Sequence, residues 1–204
     1  MILLIMKRLG RDFFLQPTLK VATDMLGKYL VHRIGRNLLV ARIVETEAYI
    51  GPEDKASHGY GGKKTPRNRA EYMIGGHIYI YLVYGMYWQM NISTGPEGEP
   101  ECVLLRALEP VEGLKEMAKR RGTTYTRNLT SGPGKLCIAM GFSGRHYGED
   151  IVTSKNAWLE NRGDVIPRNM IVRGPRIGID YAGPVWSKKP WRFWIKNSLF
   201  ISRK

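Results

Sequence analysis

The chain has no apolar run long enough to cross a bilayer. Its apolar opening, Met1–Met6, is too short for a signal-peptide core, has no basic residue before it and runs straight into Lys7-Arg8, so it reads as an edge strand or a ragged start. Cysteine is scarce too. Cys102 and Cys137 each sit in an apolar stretch without framework spacing, which argues against a disulfide scaffold and for buried thiols in a reducing compartment. The cytoplasm is the expected location, with association to the nucleoid in a prokaryote or entry to the nucleus in a eukaryote.

Several chemistries lack their residues. His32, His58, His77 and His146 lie far apart, and there is no C-x-x-C or H-E-x-x-H, so neither a zinc site nor any other metal is expected. No G-x-S-x-G elbow is present. Gly132-Pro133-Gly134-Lys135 has the look of a phosphate loop, but Leu129 replaces its first glycine and Leu136 its magnesium-binding hydroxyl, so nucleotide hydrolysis is excluded. The backbone N–H groups there remain able to meet a phosphate at a helix start. There is no repeat, low-complexity block or linker, and 204 residues with 43% hydrophobic content suit one domain spanning 1–204.

Acidic residues are also in deficit. Eighteen Asp and Glu face 32 Lys and Arg, a formal charge of +14, which suits a polyanionic partner and makes nucleic acid the first candidate. Basic clusters occur at Lys63-Lys64-Thr65-Pro66-Arg67-Asn68-Arg69 and at Lys115, Lys119, Arg120, Arg121 and Arg127. Such clusters are either solvated faces or, with aromatics interleaved, a grip on a phosphate backbone.

The pattern predicts more strand than helix. Pro17-Thr18 starts a helix that ends before Gly27, and Tyr29–His32 pairs with Leu38–Tyr49 across Gly35-Arg36-Asn37. Gly51–Arg69 reads as a surface loop with a helix start at Thr65-Pro66. Ile78–Val83 and Tyr87–Ile92 form a hairpin about Tyr84-Gly85-Met86, and Cys102–Leu108 is a further strand. Helices are expected over Val111–Arg121 and Ser131–Met140, and closing strands over Arg176–Ile179 and Trp191–Lys196. The fold class is mixed α+β, with strands dominant and the helices peripheral.

A period of two places Glu45, Glu47 and Tyr49 on one strand face, opposite Val44 and Ala48. On a solvent face the two carboxylates are merely solvated. Lining a cleft, one of them can act as a general base on a nearby water. Tyr79, Tyr87 and Trp88 suit cross-strand packing, whereas Tyr84 at the turn tip, followed by Gly85, suits a wedge inserted between base pairs.

Six ordered blocks carry a resemblance: Val44-Glu45-Thr46-Glu47-Ala48-Tyr49, Thr65-Pro66-Arg67-Asn68, Tyr79 to Tyr87, Met90-Asn91-Ile92-Ser93, Val103 to Pro110, and Ser131 to Cys137. From about Asp12 to Ser202 the chain resembles the alkyladenine, or 3-methyladenine, DNA glycosylases. The resemblance implies a single domain around a curved, largely antiparallel sheet, open and barrel-like. It also implies a monofunctional enzyme that removes alkylated and deaminated purines from double-stranded DNA (3-methyladenine, 7-methylguanine, hypoxanthine, ethenoadenine), without cofactor or metal, as a monomer and away from membranes.

Carried over residue by residue, the resemblance makes Glu47 the base for the attacking water and Arg106 its partner. It places Tyr49, His58 and Tyr81 around the purine, Asn91 against the amine of normal guanine, and Tyr84 in the gap left by the flipped nucleotide. Glu45 returns to a structural part. Arg67, Lys135 and Arg176 are candidate contacts to the DNA backbone. An N-alkylated purine is cationic, so stacking gains a cation–π contribution of roughly 0.5–2 kcal/mol and the base leaves readily. Neutral hypoxanthine needs protonation, and the sequence names no donor. The segment Arg145–Asn169 departs from the family pattern.

A non-catalytic DNA- or RNA-binding module accounts for the basic residues and the wedge, but has no use for a carboxylate facing a polyanion. A lysine nucleophile is disfavoured because none of the pocket motifs contains a suitable lysine.

Overall fold

Alternating side chains over Asn37–Ile50 build the longest strand, and the other strands are laid against it. The computed structural model describes residues 6–203. Its strands are β1 (Lys7–Arg8), β2 (Tyr29–Ile34), β3 (Asn37–Ile50), β4 (Ile78–Val83), β5 (Tyr87–Ser93), β6 (Glu101–Glu112), β7 (Ala157–Asn161), β8 (Ile171–Gly174) and β9 (Arg192–Ile195). Its α-helices are α1 (Arg11–Phe14), α2 (Thr18–Asp24), α3 (Leu114–Arg121), α4 (Pro133–Met140) and α5 (Gly183–Ser187). The expectation for Met1–Ile5 lies outside the described residues.

The strands form one antiparallel sheet in the order β1-β7-β2-β3-β6-β5-β4, with β9 joining β3 and β8 joining β9. It is not closed. The first half of β3 pairs with β2, while Glu45, Thr46 and Glu47 pair with β9. Between β3 and β6 the register slips around Glu45: Ile43 is opposite Leu108, Glu45 opposite Ala107, and Thr46 opposite Leu105. Arg106 is thus left without a direct partner, and such irregularities re-aim side chains beside functional sites.

The core face of β3 carries Val44 and Ala48 and meets Val21, Ala22 and Met25 of α2, with Leu136, Cys137 and Met140 of α4 in the same apolar cluster. Thr46 on that face donates its hydroxyl to the carbonyl of Ala22. Pro133 opens α4 at a position where a missing N–H costs nothing, and Gly141, at φ +78, ends it. The two cysteines are buried free thiols. Among the described residues no helix is long and apolar enough to cross a membrane.

Four expectations change. Thr65-Pro66 starts no α-helix, because Asn68 Oδ1 takes both the N–H and the hydroxyl of Thr65 and leaves a turn before a short 3₁₀ segment at Arg69–Tyr72. Val111 and Glu112 extend β6, and α3 begins only after Gly113, which is pressed against Leu39. The closing strand expected at Arg176–Ile179 is displaced to β8, since the Ile177 N–H goes to the Glu47 carboxylate instead of a strand. Finally, β7 arises within Arg145–Asn169, where no strand is expected from the sequence.

Candidate active site

Beside the second half of β3 lies a cavity of about 390 Å³, a size that suits a small-molecule or base ligand. Its walls come from β3, the loop after it, the β4–β5 hairpin, β6, and the Ile177–Tyr181 segment. Tyr49, His58, Tyr81, Asn91, Arg106 and Tyr84, scattered over 58 positions from first to last, all line it.

The Glu45–Glu47 face is not solvated, because both residues are fully buried. Glu47 Oε2 accepts the Tyr49 hydroxyl at 2.9 Å and Arg106 Nη1 at 3.3 Å, while Oε1 accepts the Ile177 N–H at 2.8 Å. Glu47 therefore sits just behind the cavity wall, held by groups that form it. Glu45 instead receives Arg106 Nε and Arg192 Nη1, each at 3.2 Å, together with the backbone N–H and hydroxyl of Ser202. Burial works against the charge of Arg106, but Glu47 and Glu45 outweigh it and raise the guanidinium pKa. Burial and the Glu47 charge likewise raise the Tyr49 hydroxyl far above its ordinary value, so Tyr49 remains a donor to Glu47.

Tyr81 stands on β4 with the His58 ring at 4.6 Å and the Tyr79 ring at 5.3 Å. His58 shares a short hydrogen bond with the Tyr79 hydroxyl. Its ring is open to the cavity, yet the surrounding protein mass and the charge of Arg67 lower its pKa to about 4, so the imidazole is neutral at neutral pH. Asn91 is buried and donates to the Tyr79 carbonyl at 3.0 Å, which fixes its amide at the cavity wall.

Tyr84 is 87% exposed and has φ +53, an unusual backbone for a bulky residue, followed by Gly85 at φ +70. The turn is closed by the Met86 N–H on the Val83 carbonyl, and it projects the tyrosine from the cavity mouth. Arg67 is exposed there, with its guanidinium 5.4 Å from the Tyr81 ring centre. Lys135, in the first turn of α4, is half-buried and donates to Asn128.

Arg176 is placed differently from the expectation of a DNA-backbone contact. It is buried, forms a two-pronged ion pair with Asp54, donates to the Ala48 carbonyl at 3.0 Å and lies 4.6 Å from the Tyr49 ring centre. A guanidinium so enclosed is turned inward, against the Tyr49 wall, and is not presented to a phosphate outside. Asp54, the partner that would have marked it as internal, is 122 positions away.

Sequence reasoning did not place Tyr79, Tyr181, Ile177 and Glu71 in the site, yet they too line the cavity. Glu71 is buried in the 3₁₀ segment after the basic loop, where a lone glutamate reads as surface. Among the described residues no group of three or more His, Cys, Asp or Glu is placed to hold a metal ion.

A family model for methylpurine-DNA glycosylase matches residues 12–199. A human protein named DNA-3-methyladenine glycosylase is 45% identical, covering 96% of this chain and 68% of its own length. A relative from Desulfitobacterium hafniense (strain Y51), bearing a 3-methyladenine DNA glycosylase name, is 44% identical over 98% of this chain and 100% of its own. One from Methanocella arvoryzae, similarly named, is 45% identical over 96% of each.

Proposed function

Because the chain belongs to the methylpurine-DNA glycosylase family, we propose that it is a monofunctional base-excision enzyme. It flips alkylated or deaminated purines from duplex DNA and hydrolyses the N-glycosidic bond, leaving an abasic site. The observation that carries this reading is the buried Glu47 carboxylate, held against the cavity by Tyr49, Arg106 and the Ile177 N–H.

In this reading the flipped base lies between Tyr49 and Tyr81. Stacking on electron-rich rings favours a cationic 3-methyladenine or 7-methylguanine by roughly 0.5–2 kcal/mol. Asn91, its amide held by the Tyr79 carbonyl, excludes the amine of normal guanine. His58 hydrogen-bonds the edge of the base as a neutral ring. Tyr84 fills the gap in the duplex, while Arg67 at the mouth and Lys135 at the α4 N-terminus meet flanking phosphates.

Water attacks C1′ of the sugar as the bond to the base breaks, and its proton passes to Glu47. Arg106 holds the Glu47 carboxylate in position and orients the water. Among the described residues no lysine lines the cavity, which supports hydrolysis by water over an imine-forming lyase route.

The test is a single-turnover assay on one labelled duplex containing 7-methylguanine. Wild type is expected to give abasic sites that break only after alkali, and Glu47→Gln to bind the duplex but cut roughly 10²–10⁴ times more slowly. Full activity in Glu47→Gln would remove Glu47 as the base, and breaks trapped by borohydride would point to lysine chemistry.

A further inference from the structure

The cavity has an open and a closed end. Tyr84 and Tyr181, 87% and 72% exposed, line its open side, whereas Tyr79, Asn91, Cys102 and Glu71 are buried linings. Glu71 is unlike the other polar groups there. Its Oε1 accepts the Ser57 hydroxyl at 3.0 Å and lies 3.6 Å from the Cys102 sulfur, but its Oε2 is buried without any hydrogen-bond partner. Among the described residues it has no cation within salt-bridge distance, in contrast to Glu47, which shares Arg106. A buried carboxyl oxygen without a donor is costly as an anion and well satisfied as an O–H that finds an acceptor.

We propose that Glu71 is the general acid of this site, its protonated carboxyl donating to a ring nitrogen of a neutral purine held in the cavity. The proposal rests on the glycosylase reading above and supplies the proton that neutral hypoxanthine needs in order to leave. As water bonds to C1′ and gives its proton to Glu47, the C1′–N9 electron pair moves onto the base while the Glu71 proton passes to the ring nitrogen. The base departs neutral and Glu71, now a carboxylate, is reprotonated from solvent through the cavity. A cationic 7-methylguanine already leaves as a neutral base and does not require this proton.

The other lining groups do not compete for the role. His58 is neutral at physiological pH, and burial raises the hydroxyls of Tyr49, Tyr79 and Tyr81. Burial also raises the Glu71 carboxyl to about 7, offset in part by hydrogen bonds from Ser57 and Cys102 and aided by the Asp54 charge. The remaining titratable groups facing it are Tyr72, Tyr79, Tyr81 and the Cys102 thiol, which burial raises in turn. One carboxyl just behind the cavity wall, paired with a guanidinium, and one lining the cavity with its proton held more tightly, make the division of labour found in two-carboxylate glycoside hydrolysis.

The experiment compares single-turnover excision of hypoxanthine and of 7-methylguanine by wild type and Glu71→Gln across pH. For wild type the hypoxanthine rate is expected to fall as pH rises through about 7, relative to the 7-methylguanine rate. Glu71→Gln should lower the hypoxanthine-to-7-methylguanine rate ratio roughly 10²–10⁴-fold and remove its pH dependence. The wild-type profiles alone decide the matter should the variant fail to fold. If wild type cuts 7-methylguanine but not hypoxanthine, or cuts both with parallel profiles and an unchanged ratio in Glu71→Gln, the general-acid role is refuted. If wild type cuts neither, the glycosylase reading falls and this inference with it.

Discussion

The protonation of Glu71 should also be visible in folding, without any DNA. Burial raises its carboxyl from 4.5 to about 7, so the folded state binds a proton that the unfolded chain has released across that interval. Stability from this group is fully present below pH 4.5 and is lost as pH rises through about 7. Each tenfold change in proton affinity is worth about 1.36 kcal/mol, which makes the loss roughly 3 kcal/mol. Glu71→Gln has nothing to ionise there, so its stability relative to wild type should improve by that amount between about pH 4 and about pH 8.5. His32 and His58, both lowered to about 4 by burial, act in the opposite sense, adding stability as pH rises above their folded values. They are common to both proteins and cancel in the difference. Urea unfolding of the pair at the two pH values measures it, and thermal unfolding should show a relative shift of roughly 6–12 °C for a chain of this size. A wild-type minus variant difference that does not change with pH would refute the protonated-carboxyl argument.

Arg176→Ala strips a fully buried Asp54 of its cation and should destabilise the fold by roughly 3–5 kcal/mol in denaturant unfolding, whereas a surface phosphate contact would leave stability unchanged. Tyr84→Ala removes an exposed ring and should leave the unfolding midpoint nearly unaltered. It should nevertheless weaken binding to a lesion duplex by roughly 1–3 kcal/mol, read as a roughly 5- to 150-fold rise in Kd by fluorescence anisotropy. Affinity should fall steeply and linearly on a log–log salt plot, and Arg67→Ala should reduce the slope by about one. A salt-independent Kd would contradict the basic-face argument.

Local pattern carried most of the sheet. The alternation of β3, the β4–β5 hairpin about Tyr84-Gly85 and the Gly-Pro entry to α4 follow from residue types a few positions apart, and each element stands where those residues place it. Side chains that serve partners distant in sequence were harder to read. Arg176 looks like a surface cation in a segment rich in glycine and proline, because Asp54 is invisible from there. The same segment loses its expected strand because one backbone N–H is taken by Glu47. Glu71 follows a run of basic residues and resembles a solvated counter-charge until folding brings Ser57 and Cys102 against it. The gathering of Tyr49, His58, Tyr81 and Asn91 around one cavity was legible only through resemblance, since composition fixes no distance between loops.

The two glutamates of β3 are separated by what they accept, not by where they point. A carboxylate has about four acceptor sites. Glu45 receives four donors, with Arg106 Nε, Arg192 Nη1 and the Ser202 hydroxyl on Oε1 and the Ser202 N–H on Oε2. Glu47 receives Tyr49, Arg106 Nη1 and the Ile177 N–H, which leaves it capacity for one further donor. Glu45 anchors Arg106 through Nε, so that the same guanidinium reaches Glu47 through Nη1. The two carboxylates and the two arginines Arg106 and Arg192 also balance in formal charge, and a polyanion approaching the cavity meets no net negative charge from this layer. The objection that a carboxylate repels DNA therefore applies to an isolated Glu47, and Glu45 with its arginines is what keeps Glu47 from being one.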